Sequence, residues 1–101
     1  MQVTQKINDN NATLILTGRF DFNAHRDFRE GYEAVLKTAN VHTLDIDLTR
    51  VDYLDSSALG MLLLLKERAG AKNIELALVG CTGTVKQILE IANFSKLFTM
   101  R

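Results

Sequence analysis

The stretch TLDIDLTRVDYLDSSALGMLLLLKERAG, residues 43–70, changes its periodicity midway, and that change decides the fold. Over 43–49, Leu44, Ile46 and Leu48 alternate with Asp45, Asp47 and Thr49, which is the period of a strand. Residues 56–70 are too many and too rich in leucine for another strand. Lys66 and Arg68 suit the negative end of a helix dipole and Gly70 suits a cap, so a helix is predicted there. Its apolar run, Met61 to Leu65, falls far short of the roughly 20 residues of a membrane span and reads as a core segment. At the junction stand Asp55, Ser56 and Ser57.

Outward from this pair, residues 2–7 read as a first strand, and NDNN at 8–11 as a hairpin leading to a second strand at 12–18. Leu14, Ile15 and Leu16 are contiguous, which predicts a strand covered on both faces. From Asn23 the period lengthens. Phe28, Tyr32, Val35 and Leu36 form one helical stripe, with Arg26, Arg29, Glu30 and Glu33 left to water. NIELALV, 73–79, is a further strand. Val85, Ile88, Leu89 and Ala92 then mark a third amphipathic helix before a short tail with Phe94, Leu97 and Phe98. Alternating strands and helices require right-handed crossovers, so the fold class is α/β: a mixed, mostly parallel sheet with an N-terminal antiparallel hairpin and three main helices.

In such sheets, binding chemistry gathers at the carboxyl ends of the strands. GRFDF at 18–22 and TRVDYLDSS at 49–57 are two loops predicted at that end, which brings Asp21 near Asp55 and Ser56. Alternation sends one of Phe20 and Phe22 into the core and the other to solvent, where an exposed aromatic is a natural partner anchor. Arg19 and Arg50 are expected in solvated roles, with His25 covering the same rim.

Composition narrows the function. A chain of 101 residues with 47% hydrophobic and 24% charged residues is expected to fold as one domain. Twelve basic residues balance twelve acidic ones, leaving no basic field, so neither nucleic acid nor a membrane is an expected partner. Cys81 is the sole cysteine and MQVTQKINDNN lacks a secretory pattern, which together suit the cytoplasm. His25 and His42 have no ligand spacing, so no metal and no cofactor is expected. There is no proline, and turns must come from Asn, Asp and Gly.

The serines have two readings. Asp and Ser at a helix start are preferred caps, each worth ~1 kcal/mol through a bond to an unpaired amide. The same position exposes a hydroxyl beside free amides that favour an anion. A phosphate there adds a charge of roughly −1.5 to −2. A partner's acidic group about 6 Å away would then be repelled by on the order of 1–3 kcal/mol. Catalysis by Ser56 is not expected. The surrounding L-D-S-S-A lacks the G-x-S-x-G elbow, and no oriented acid–base pair accompanies it. Nor is nucleotide binding expected, since GCTGT is too short for a phosphate loop and lacks its lysine.

LDIDLTRVDYLDSSALGMLLLLKERA resembles the signature of the STAS domain, the fold of bacterial anti-sigma factor antagonists. LTGRFDF at 16–22 resembles that family's strand-end motif, and VKQILEIANFSKLF at 85–98 its last helix and tail. The resemblance spans nearly the whole chain and implies one STAS domain over 1–101, with a five-element mixed sheet. It further implies phosphorylation of Ser56 by a partner serine kinase with a histidine-kinase-like ATP fold, and removal of the phosphate by a PP2C-type phosphatase. The unphosphorylated form would bind an anti-sigma factor or related regulator. Asp21 and Asp55 match acidic positions beside the phosphosite, and with Phe22, Asn23, Ser56 and Ser57 they compose the implied switch surface. Ser57 is then a structural hydroxyl. Ala58 stands where many relatives have glycine, and the proline common before the last helix is missing, leaving Thr82 to cap it. The alternative is a constitutive STAS interaction subunit of a transporter or lipid-trafficking complex.

Overall fold

The computed structural model describes residues 1–101. Strands β1 (Gln2–Asn8) and β2 (Asn11–Phe20) form an antiparallel hairpin whose turn places Asp9 at φ 56, a left-handed conformation that short polar side chains tolerate. Strand β2 pairs in parallel with β3 (Thr43–Leu54), β3 with β4 (Glu75–Val79), and β4 with β5 (Thr99–Met100). The sheet order β1-β2-β3-β4-β5 therefore follows the chain.

Helices α1 (His25–Leu36), α2 (Ser56–Ala71) and α3 (Gly83–Ile91) are the successive crossovers. Because each crossover steps the same way across the sheet, their common hand puts all three on one face. The register agrees. Leu14, Ile46, Leu78 and Met100 form one row across the sheet, and the first three are fully buried in a core shared with Phe28, Leu62, Val85 and Leu89. The opposite face has no helix over it, and Thr13, Ile15, Asp45 and Asp47 stand half-buried there. Ile15 thus corrects the expectation of a strand covered on both faces: three contiguous apolar residues sit on β2, yet only Leu14 and Leu16 reach the core.

Four other expectations are corrected. Strand β3 runs to Leu54, so most of the stretch expected to be a loop at 49–57 is strand. Of Met61 to Leu65, Leu63 and Leu64 are exposed at 41% and 46%, so the run is not wholly core. Gly70 is not the cap of α2. Asn73, at φ 58, takes the left-handed position, with Asn73 N bonded to Gly70 O and Ile74 N to Ala69 O, as in a Schellman ending. Thr82 occupies the N-cap position of α3, but its side chain makes no capping bond.

The core centres on an aromatic run. Phe28 lies 4.9 Å from Phe20 and 5.3 Å from Tyr32, the latter edge to face, which joins the end of β2 to two turns of α1. Arg68 of α2 lies over Tyr32 and bonds Glu33 at 3.1 Å, tying the two helices at the surface. This core holds the ends of β2 and β3 side by side.

Candidate functional site

Phe20 and Leu54 are register partners at the ends of β2 and β3, so Asp21 and Asp55 leave the sheet as neighbours. Each aspartate then starts a helical segment. Asp21 accepts a bond from Asn23 N at 3.0 Å and caps the 3-10 turn Phe22–Ala24 that leads into α1. Asp55 accepts from Ala58 N at 2.9 Å and caps α2. Its second oxygen accepts from Phe22 N at 3.2 Å, a bond between segments 33 residues apart. One carboxylate therefore joins both loops.

Ser56 is the first residue of α2 and is exposed; Ser57 is half-buried. Since Asp55 provides the cap, the Ser56 hydroxyl is released from that duty. The amides of a helix's first turn and its dipole make the surroundings tolerant of an added anion.

The rim is aromatic as well as acidic. Phe22 is 69% exposed and stacks on His25 at 6.4 Å, whereas Phe20 is fully buried, as alternation required. Arg19 bonds Asp21 at 3.2 Å and lies 4.2 Å over the ring of Tyr53, so it is a paired group rather than a free solvated one. Arg50 is exposed. The structure thus brings Asp21, Phe22, Asn23, Asp55, Ser56 and Ser57 together at one end of the sheet. Tyr53 was missed, because it reads as loop; its register pairing with Arg19 is the signal that places it. Exposed Leu64 was also missed. With Met61, His25, Phe28, Arg29 and Tyr32 it lines a shallow cleft between α1 and α2.

Asp55→Ala is expected to cost about 1–2 kcal/mol, since it removes the cap of α2 together with the tie to Phe22. Urea unfolding measures it, and an unchanged midpoint would refute the clamp. Cys81, just past the end of β4, is half-buried. Desolvation pushes its thiol up, against a smaller opposing effect of Lys86. A raised thiol stays protonated to higher pH, so Cys81 alkylates more slowly at pH 8 than an unstructured cysteine peptide, and urea removes the difference. Equal rates in buffer would contradict its burial.

The family model described as Mlab, STAS domain matches residues 3–99. A STAS-domain containing protein of Pseudomonas aeruginosa (strain UCBPP-PA14) is 50% identical over 86 residues, 85% of this chain and 83% of that one. The anti-sigma factor antagonist SpoIIAA of Bacillus in its unphosphorylated form superposes with a TM-score of 0.74 at 17% identity, covering 99% of this chain and 87% of that one. Its phosphorylated form also gives 0.74, at 16% identity, with 99% and 91% covered. A sulfate transporter family protein from Wolinella succinogenes gives 0.77 at 17% identity, covering 91% of this chain and 74% of that one. At these identities the superpositions speak for the fold. No helix is long and apolar enough to cross a membrane.

Proposed function

From the premise that the chain belongs to the STAS-domain family, a family of binding and regulatory domains, we propose that it is a phosphorylation-switched regulatory binding protein with no catalytic activity of its own. Unmodified, it docks on a regulator through residues 19–25, the end of β3 with Asp55, and the first turns of α2. Phosphorylation of Ser56 by a serine kinase blocks that docking, and a PP2C-type phosphatase restores it. An anti-sigma factor with kinase activity is the partner class, and the cytoplasm the compartment.

One observation carries this reading: Asp55, not Ser56, caps α2, which leaves an exposed hydroxyl without a structural task. A charge can be added there while the helix keeps its cap. SpoIIAA, which shares the fold, has been solved in unphosphorylated and phosphorylated forms, which supports the same chemistry here. Phosphate-affinity electrophoresis of the protein from its host, followed by peptide mapping, tests the assignment. A phosphoester on Ser56 is the expected result. Its absence under every growth regime, or its confinement to Ser57, would overturn the site.

The likeness to a sulfate transporter family protein favours a second reading, a constitutive interaction module. In that case binding would be indifferent to any change at Ser56.

A further inference from the structure

Strand β1 is an outer edge of the sheet, and every residue of it is exposed except half-buried Val3. Asn8 and Asn11 flank a two-residue turn and so exchange both backbone bonds. Alternation from that pair directs the N–H and C=O groups of Val3, Gln5 and Ile7 away from β2. No turn or loop hydrogen bond uses the backbone of these three residues. The edge is a row of free donors and acceptors.

Helix α1 walls this edge. A groove of ≈ 380 Å³ runs between them, lined by Met1, Gln2, Val3 and Gln5 along the strand and by Asp27, Glu30 and Gly31 on the helix, so that its side-chain charges are the two carboxylates. The wall is fixed closely: a Cβ on Gly31 would stand 2.6 Å from Val3 Cγ1, and Gln5 Nε2 donates to Gly31 O at 3.3 Å. Ile7, 44% exposed on the same side of the strand, prolongs the shelf beyond the helix.

We infer that this groove binds an extended, basic segment of a partner protein, added to the sheet as a further strand beside β1. Such a segment satisfies the free backbone groups and turns alternate side chains toward the helix, where Asp27 and Glu30 select lysine or arginine. A second copy of this chain fits poorly. Pairing β1 with its own symmetry mate would set the acidic stripes of two α1 helices against each other, and Lys6 is the only charge on the strand. The inference does not rest on Ser56.

The probe is a capped heptapeptide alternating lysine with valine, titrated into the full chain and followed by NMR. Saturable shifts in β1 and the first half of α1 are expected, with slowed exchange of the Val3, Gln5 and Ile7 amides. The double variant Asp27→Asn, Glu30→Gln is expected to bind at least tenfold more weakly. Gln5→Pro removes an outward-facing N–H, which an edge strand tolerates, together with the side-chain bond to Gly31 O, and should weaken binding similarly, while Gln5→Ala loses the same side-chain bond but keeps the N–H and should bind like the unaltered chain. The neutralised double variant carries the test if Gln5→Pro fails to fold. Shifts spread over other acidic surfaces, unchanged affinity in the double variant, equal binding of a glutamate–valine peptide, or self-association through β1 without peptide would each overturn the inference.

Discussion

Ser56→Asp is expected to recover ten- to a hundredfold less partner from host extract than Ser56→Ala, with both proteins immobilised at equal density and the captured proteins quantified by mass spectrometry. The magnitude follows from a negative charge facing an acidic group of the partner about 6 Å away, on the order of 1–3 kcal/mol at a surface-like dielectric. The carboxylate carries less charge than a phosphate, so true phosphorylation should lie at the upper end. Folding should be nearly the same in the two variants, because the cap of α2 is Asp55 and stays in place. That separates a binding effect from a stability effect. If both variants capture the same proteins in the same amounts, the constitutive reading takes the place of the switch.

Phe28→Ala is expected to destabilise the domain by about 3–5 kcal/mol. Its ring is fully buried between Phe20 and Tyr32, and removal leaves a cavity between the end of β2 and α1 that neither neighbour can fill without leaving its own contacts. Against a total of roughly 5–15 kcal/mol for a domain, this is a large fraction, and the Tm should fall by more than about 10 °C. Phe28→Leu keeps most of the volume and should lose much less. Calorimetry of the two variants checks the order. Because Phe28 braces the segment that carries Phe22, Phe28→Ala should also blunt partner capture in proportion to the unfolded fraction, whereas Ser56→Asp blunts it in a fully folded protein.

The elements of the fold were legible where the period was unbroken. The α1 stripe at Phe28, Tyr32, Val35 and Leu36 is wholly buried, and Leu44, Ile46 and Leu48 alternate as read. The alternation along β3 ends at Thr49 for a physical reason. The pairing of β2 with β3 shifts register between Ile15 and Thr17 and again between Gly18 and Arg19, so β3 carries extra residues. Its burial then recurs at Leu48, Val51 and Leu54, a spacing that resembles neither a strand nor a loop. Strand β5 has too few residues to show any period and exists through its bonds to Ala77 and Leu78. Ile15 and the exposed Leu63 and Leu64 were misplaced because an apolar run gives no sign of which face a sheet or neighbouring helix leaves bare. At the site, the proximity of Asp21 to Asp55 followed from topology alone. The double use of the Asp55 carboxylate did not, since it depends on the meeting of Phe22 N with a residue distant in sequence.

The turns of this chain have a kinetic consequence. Asp9, Asn40, Asn73 and Asn93 take left-handed conformations at the reversals, and the sequence holds no proline. Every peptide bond can therefore be made in its native trans state at synthesis, with none of the isomerisations that take tens of seconds or longer. A newly made molecule folds without that delay, so changes in competence are left to chemistry on the folded protein.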